Sequence, residues 1–162
     1  LVVAAINAAH QRVRITTPYF VPDEPLFTAL VTASLRGVDV EILVPRRADS
    51  RVVLAASRSY FDELLLAGVK LYEYLPTMLH AKTMTVDGAI AFVGTANMDP
   101  RSFRLNYELT AISYCTETAR GLDEHFERDL TVSREVRPEH RTGLPFLDRL
   151  GEAAARTLSP LL

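Results

Sequence analysis

A short unit used twice constrains the fold of this 162-residue chain more than any other feature. In each copy a helical pattern ends at a glycine, Gly37 or Gly68, and a strand pattern follows at once, as LRGVDVEILV and LAGVKLYEYL. Strands and helices that alternate with short links are typical of right-handed βαβ crossovers. The first half of the chain therefore predicts parallel strands covered by helices.

Proline, glycine and capping residues set the boundaries of the elements in this half. Asp23 followed by Pro25 is typical of a helix start, and Ser50 is a second candidate cap. We expect the following order: a helix over 3–10, a strand over 12–17, a helix from Asp23, a strand over 38–44, a helix from Ser50 to Ala67 and a strand from Val69.

The second half follows a different pattern. Two strands, over 79–86 and 89–93, are separated by Asp87-Gly88, a dipeptide that favours a tight hairpin turn. A third strand near 107–114 and two helices, at about 117–131 and about 144–157, complete the chain. We predict the α/β class: a single domain over 1–162, with a mixed, largely parallel sheet sandwiched between helices.

Composition excludes several classes of protein. With 48% hydrophobic residues and a length of 162, the chain can bury a real core and is not disordered. Its single cysteine, Cys115, excludes a disulfide framework and is expected in a buried strand. The formal net charge of −2 argues against a non-specific nucleic-acid binder, which normally carries a basic excess.

The hairpin carries the strongest functional signal. Its residues follow the spacing H-x-K-x4-D-x6-G-[ST]-x-N, at His80, Lys82, Asp87, Gly94, Thr95 and Asn97. Positions i and i+2 of a strand share a face, so an imidazole and an ammonium are expected side by side, with a hydroxyl and an amide near them. Such groups can stabilise charge on phosphoryl oxygens, while the imidazole acts as nucleophile or acid.

Each part of this pattern has an ordinary structural explanation when taken alone. His80 with Lys82 would be an exposed strand edge, and Asp87 a turn residue. Gly94, Thr95 and Asn97 would be a polar loop. The joint spacing, rather than any single residue, favours a phosphate site.

The motif resembles the HKD signature of the phospholipase D superfamily. The flanking segments TPYFVPDEP, RGVDVEILVP, LHAKTMTVDG, GTANMDPRSFRLNYEL and LSPLL resemble the C-terminal half of bacterial cardiolipin synthases. This resemblance implies exchange at a phosphodiester without a metal or cofactor. One histidine attacks phosphorus to give a phosphohistidine, and a second protonates the leaving alcohol. Thr95 stands where the family more often has serine.

The resemblance also implies roles for individual residues. The catalytic set is His80, Lys82, Asp87, Asn97 and Glu108, and the substrate phosphate is expected to contact Lys82, Thr95, Asn97 and Arg101. Glu108 is the candidate to orient a catalytic imidazole through Nδ1, although an exposed strand glutamate is the alternative. Further candidates are Arg104 and the cluster Arg46, Arg47 and Arg51 for anion contacts, and Tyr19, Phe20 and Phe103 for lipid contacts.

Only one copy of the motif is present, whereas enzymes of the family build one active site from two. His10, His125 and His140 have no lysine two residues on. The first residue is Leu1 rather than methionine, which favours a piece of a longer, membrane-associated protein whose catalytic domain faces the cytoplasm. The expected partners are a phospholipid substrate, a membrane surface and a second HKD domain, and the charge argues against nucleic acid.

Three functions stay open on the sequence alone. The first is the C-terminal half of a cardiolipin-synthase-like phosphatidyltransferase, in which His80 would be the general acid and base. The second is a single-motif hydrolase that dimerises to bring two copies of His80 together. The third is a domain that only binds phosphorylated ligands, which the intact motif disfavours.

Overall fold

The computed structural model describes residues 1–159, so the last three residues of the closing LSPLL segment lie outside the described part. These residues form one α/β domain with eight helices and seven strands. The helices are α1 (Val2–Ala8), α2 (Glu24–Leu35), α3 (Arg51–Arg58), α4 (Phe61–Leu66), α5 (Pro100–Arg104), α6 (Thr116–Leu130), α7 (Pro138–Thr142) and α8 (Phe146–Thr157). The strands are β1 (Arg12–Thr16), β2 (Asp39–Pro45), β3 (Lys70–Tyr74), β4 (Thr83–Val86), β5 (Ile90–Gly94), β6 (Thr110–Ser113) and β7 (Ser133–Val136).

All seven strands belong to one mixed sheet in the order β6-β5-β4-β1-β2-β3-β7. β1, β2 and β3 are parallel, as the repeated unit predicts. The pairings β1 with β4, β4 with β5, β5 with β6 and β3 with β7 are antiparallel. The predicted α/β class with a mixed sheet is confirmed, but the sheet is not largely parallel, because each strand after β3 pairs antiparallel with its neighbours.

Local sequence explains the helix boundaries. The Asp23 carboxylate accepts a hydrogen bond from the Leu26 amide at 3.1 Å, and proline occupies the first turn of α2. Gly37 and Gly68 adopt φ of +92° and +91° after α2 and α4, a conformation that favours glycine. The helix predicted over 50–67 is two helices, α3 and α4, which meet at Ser59 and Tyr60.

The two faces of the sheet bury different side chains. Val13 and Ile15 of β1 point into the main apolar core, on the face covered by α2 and α4. Arg14, between them, points to the α6 face, where it pairs with Glu41 at 2.7 Å and lies over the Phe126 ring. Both charged groups are almost fully buried, which a paired geometry makes tolerable. Helices therefore cover both faces of the sheet, as predicted.

Several boundaries differ from the expected ones. The strand predicted over 79–86 starts at Thr83, and the strand predicted over 107–114 is confined to Thr110–Ser113. The edge strand β7 and the short helix α7 were not predicted. The prediction for Cys115 was wrong: the residue is exposed and precedes the first turn of α6, because β6 ends two residues earlier.

Asp87 joins the turn of the hairpin to the start of β1. Asp87 and Gly88 have φ of +52° and +62°, as in a type I′ turn, and the Ala89 amide closes this turn onto Val86. The Asp87 carboxylate accepts three backbone hydrogen bonds, from His10 at 2.9 Å and from Gln11 and Arg12 at 2.8 Å. Burial alone would raise the pKa of this carboxyl, but the three backbone donors outweigh burial and lower it.

Replacing Asp87 by Ala is expected to lower the free energy of unfolding by about 2 kcal/mol, because three amides lose their acceptor and water replaces it only partly. The folded-state pKa lies below the unfolded value of about 3.9, so the carboxylate stabilises the fold above that pH. This stability is lost as pH falls through the folded-state pKa. Urea unfolding from pH 7 to pH 2 measures both effects.

Asp87→Asn is the matched control for this experiment. It tolerates the positive φ and keeps an acceptor oxygen, but it cannot titrate. We expect an intermediate loss of stability, with the acid-dependent part removed. Identical pH dependence in the wild type and in Asp87→Asn would contradict this role for the carboxylate.

Candidate active site

The strand directions bring the predicted site residues to one edge of the sheet. Thr83, the first residue of β4, pairs with Thr16, the last residue of β1, and with Val93 near the end of β5. Gly94, the last residue of β5, pairs with Thr110, the first residue of β6. The segments that flank these strand ends therefore meet at the same edge, although they are separated in sequence.

The segment that carries His80 and Lys82 lies just outside the sheet. Leu79 is buried with Leu43 and Phe126 in a small apolar cluster under α6, which anchors the segment. His80 is exposed, and the Lys82 ammonium donates a hydrogen bond to the His80 carbonyl oxygen at 2.9 Å. His80 and Lys82 therefore do not lie on a strand, as was expected, but on the segment before β4 that Leu79 anchors.

Lys82 lies in a partly desolvated, acidic environment. Burial lowers the pKa of its ammonium, while the negative charges of Glu108 and Asp99 oppose this effect and leave the pKa still below its usual value. Such an ammonium has two carboxylates near it but no ion pair with either among the described residues. It therefore keeps donor capacity for an anion.

Glu108 is held by residues other than His80. Its carboxylate accepts a short hydrogen bond from the Thr95 hydroxyl and a second bond, of 3.2 Å, from Asn106 Nδ2. Thr95 Oγ1 also accepts from the Leu109 amide at 3.0 Å. The structure brings Thr95 and Glu108 together at the site, but it shows no hydrogen bond that would let Glu108 orient the His80 imidazole.

Gly94 allows this close approach of β5 to β6. A Cβ atom at this position would lie 2.4 Å from the Leu109 carbonyl oxygen and 2.9 Å from Thr110 Cα. Because backbone atoms cannot give way cheaply, any larger residue would push apart the strand ends that hold Thr95 and Glu108. The glycine of the motif thus has a steric role.

Asn97 occupies a turn fixed by a helix start. Its backbone amide donates to Ser102 Oγ at 3.0 Å, and Asp99 caps α5 by accepting from the Ser102 amide at 2.7 Å. Asn97 Oδ1 is buried and accepts no hydrogen bond from residues 1–159. A buried acceptor without a donor is unfavourable, so this oxygen is a natural position for a donor on a bound substrate.

Three other predicted residues are Asp87, Arg101 and Arg104. Asp87 lies at the opposite end of β4, against the start of β1, so the structure does not bring it to the site and its predicted catalytic role does not fit this position. Its place in the motif is explained by the hairpin turn. Arg101 is exposed on α5, near Asn97 in sequence, and its guanidinium has no ion pair within the described chain. Arg104 pairs with Asp23 at 3.2 Å.

A tyrosine and an aspartate at the same edge were not predicted as a pair. The Tyr19 hydroxyl, after β1, donates to Asp49 Oδ1 at 2.6 Å. This bond and, to a smaller extent, burial raise the pKa of Tyr19 to about 12. The same bond lowers the pKa of Asp49, and the charge of nearby His80 also lowers it. Tyr19 and Asp49 meet because β1 and β2 pair in parallel and end at the same edge, which a local sequence pattern does not reveal.

The remaining candidates line two cavities. Arg46, Arg47 and Arg51 face a cleft of about 560 Å³, and Phe103 faces an apolar cavity of about 490 Å³. Phe20 is fully buried in the core and cannot contact lipid. Within residues 1–159 no group of three or more His, Cys, Asp or Glu side chains is placed to bind a metal ion.

Sequence comparison agrees with the motif and the fold. A family profile described as the PLD-like domain of cardiolipin synthase matches residues 2–130. The chain belongs to this cardiolipin synthase family of PLD-like domains. Its resemblance to that family, inferred from the motif and its flanks, is thereby confirmed.

Individual relatives of this family match almost the whole chain. Cardiolipin synthase from Geobacillus kaustophilus is 47% identical over 159 residues, which is 98% of this chain and 32% of that protein. Cardiolipin synthase A from Pseudomonas aeruginosa is 48% identical over 160 residues, which is 99% of this chain and 33% of that protein. The chain therefore spans about a third of the length of these cardiolipin synthases.

Solved structures support the same fold. Nuc from Salmonella typhimurium, described as a phospholipase D family member, matches with a TM-score of 0.75 and 25% identity, over 84% of this chain and 88% of that chain. A phosphatidylserine synthase from Haemophilus influenzae matches with a TM-score of 0.78 and 14% identity, over 99% of this chain and 44% of that chain. The second likeness concerns the fold alone.

Proposed function

We propose that this chain is one half of the active site of a cardiolipin-synthase-like phosphatidyltransferase, which exchanges the alcohol of a phospholipid phosphodiester. The observation that carries the proposal is the meeting of His80, Lys82, Asn97 and Glu108 at one sheet edge, with the imidazole exposed. An exposed imidazole beside a partly desolvated ammonium suits an anionic phosphodiester that approaches from solvent.

The chemistry requires two imidazoles. In the first step a nucleophilic nitrogen bonds to phosphorus, the bond from phosphorus to the headgroup oxygen breaks, and a second imidazolium gives its proton to the leaving alcohol. In the second step the incoming alcohol loses its proton to that imidazole and displaces the first one from phosphorus. The Lys82 ammonium would stabilise the phosphoryl oxygens in both steps.

The described chain supplies only one of these imidazoles. His10 lies beside Asp87 at the opposite end of β4, and His125 is exposed on α6. His140 Nδ1 accepts a hydrogen bond from the Arg137 amide in the first turn of α7. We therefore assign His80 the general acid and base role, and propose that the nucleophile lies on a second HKD domain of a longer protein. The threefold greater length of the relatives supports this arrangement.

An exposed apolar surface beside the site suits such a partner. Leu105, Tyr107 and Leu109 surround Glu108 on the link from α5 to β6, and all three are largely exposed, with values of 72%, 107% and 77%. Apolar side chains clustered next to polar functional groups are typical of contact surfaces. We propose that the second HKD domain covers this surface and closes the site.

The alternative is a homodimeric single-motif phosphodiesterase or endonuclease. The match with Nuc, which covers 88% of that chain, favours a single-domain arrangement as a second candidate. The net charge of −2 is unfavourable for binding a nucleic-acid backbone. A third candidate, a domain that only binds phospholipid, would not need the exposed imidazole next to Lys82.

A chimera tests the proposed activity. The matching third of the Geobacillus kaustophilus cardiolipin synthase is replaced by this chain, and the enzyme is given phosphatidylglycerol vesicles. Transfer between two phosphatidylglycerol molecules gives cardiolipin and glycerol, which mass spectrometry detects. We expect cardiolipin as the main product. Phosphatidic acid alone, or cleavage of an oligonucleotide instead, would contradict phosphatidyl transfer.

A further inference from the structure

A polar cleft of the described chain lies outside the site around His80. It has a volume of about 560 Å³, and its walls come from the loop after β2, from α3 and α8, and from β7 and α7. Six arginines and three carboxylates line it, in a chain whose overall charge is negative. The volume is in the range of ligand-binding pockets.

Most of the buried charges in this cleft are already paired. Glu73 accepts from Arg58 at 2.7 Å and from Arg134 at 2.6 Å. Arg141 pairs with Asp62 at 2.7 Å and with Glu152 at 2.6 Å. These three guanidinium groups and three carboxylates balance one another in charge, so they contribute little attraction for an incoming ligand.

Three guanidinium groups are left without an ionic partner. Within residues 1–159, Arg46, Arg47 and Arg51 form no ion pair, and all three are exposed at the mouth of the cleft. Of the carboxylates that line the cleft, Asp148 also forms no ion pair with any residue of the described part. Uncompensated guanidinium groups on one wall are suited to a phosphate ester, which they can contact through two parallel hydrogen bonds.

The rim of the cleft adds apolar side chains. Leu144 and Leu147 line the cleft, and Phe146, Leu147 and Leu150 of α8 are 76%, 76% and 54% exposed. Residues i and i+4 share a helix face, so Phe146 and Leu150 form one apolar stripe next to Leu147, which itself lines the cleft. Exposed apolar groups next to a cationic cleft match the chemistry of an anionic phospholipid in a bilayer, which offers an acyl region beneath a charged headgroup.

We propose that this cleft is a second phospholipid site, in which Arg46, Arg47 and Arg51 hold the headgroup phosphate of an anionic lipid while the α8 stripe enters the bilayer surface. The cleft opens at the end of β2, at the same sheet edge as His80, so it would hold that edge against the membrane. The site is distinct from the phosphate site at Lys82. It extends the proposed function, but its occupancy does not require turnover.

Vesicle sedimentation tests the cationic part. The chain is mixed with vesicles of phosphatidylcholine alone or with one third phosphatidylglycerol. We expect binding only to the anionic vesicles, weakened by salt. Arg47→Ser with Arg51→Ser should lower the partition coefficient about 30-fold, since each arginine near an anionic surface contributes about 1 kcal/mol. The matched control, Arg120→Ser with Arg128→Ser on α6, removes the same charge elsewhere and should bind as the wild type.

Further variants separate this site from its alternatives. Phe146→Ser with Leu150→Ser should lower binding at least about tenfold, whereas Leu35→Ser with Leu66→Ser, which removes equally exposed apolar groups elsewhere, should not. His80→Asn should bind vesicles normally, so failure of catalysis and failure of this proposal are distinguishable. Circular dichroism confirms the fold of each variant.

Three results would overturn the proposal. The first is an equal loss of binding in the arginine variant and in its α6 control. The second is vesicle binding that soluble glycerophosphoglycerol abolishes and that the α8 variant does not change, and the third is tighter binding of a single-stranded oligonucleotide than of anionic vesicles at equal salt. The first would reduce the effect to net charge. The second would replace the bilayer by a soluble phosphodiester, and the third would replace lipid by nucleic acid.

Discussion

Replacing His80 by Asn in the chimeric enzyme is expected to lower the rate of phosphatidyl transfer by up to about 10⁴-fold. Without this imidazole no group of the described chain can protonate the leaving alcohol or deprotonate the incoming one, and acid–base catalysis of this kind contributes up to about 10⁴-fold. Asparagine keeps a polar group of similar size. Cardiolipin formation from phosphatidylglycerol, followed by mass spectrometry, measures the loss.

The fold should survive this substitution. His80 is exposed, and its side chain donates or accepts no hydrogen bond within residues 1–159, so we expect a change in unfolding free energy within about 0.5 kcal/mol. His125→Asn, an exposed histidine on α6, is the matched control and should keep full activity. Transfer by His80→Asn at a tenth of the wild-type rate or more would exclude His80 from the chemistry.

Replacing Lys82 by Met should produce the second largest loss, on the order of 10²–10³-fold in rate, because one preorganised cation that faces developing charge is worth about that factor. Methionine keeps most of the side-chain volume but cannot donate. Lys82→Arg keeps the charge in a larger planar group and should retain more activity than Lys82→Met. Lys70→Met is the control, since Lys70 pairs with Asp39 away from the site.

The pH profile separates a direct role of Lys82 from a structural one. Burial lowers the pKa of this ammonium, so transfer should fall, as pH rises, earlier than for an ordinary lysine. The charge of Glu108 raises this pKa, so Glu108→Gln should move the alkaline limb to lower pH. An alkaline limb unchanged in Glu108→Gln would show that the two groups are not coupled in the working enzyme.

Much of the fold could be predicted because its signals are local. Glycines that end helices, β-branched strands and a capping aspartate fix β1, α2, β2 and β3 close to their observed bounds. The direction of the later strands is not local information. β4 lies antiparallel to β1 only because the long segment before it crosses the end of the sheet, and β7, with its exposed and charged residues, has no clear strand pattern.

The part of the site that lies within the motif could also be predicted from the sequence. The joint spacing identified His80, Lys82, Thr95 and Asn97, and all four lie at one edge. Asp87 belongs to the same spacing, but its carboxylate faces backbone amides at the other end of the hairpin. A linear motif therefore combines residues of the site with residues that only build the turn, and the sequence alone cannot separate them.

Contacts between loops were beyond the sequence pattern. Glu108 was expected to orient an imidazole, but Thr95 and Asn106 occupy its carboxylate oxygens. Asp49 gave no signal, because its proximity to His80 and its bond to Tyr19 depend on how two strand ends meet. These contacts depend on tertiary packing of segments that are far apart in sequence.

We propose that this chain holds half of a two-histidine active site. Comparison of the isolated 162-residue chain with the Geobacillus chimera, at equal concentration and on the same phosphatidylglycerol vesicles, tests it most directly. We predict that the chimera forms cardiolipin while the isolated chain, shown to be folded and monomeric by circular dichroism and sedimentation, gives none. A symmetric dimer of the isolated chain that cleaves or transfers phosphodiesters as fast as the chimera would contradict the claim.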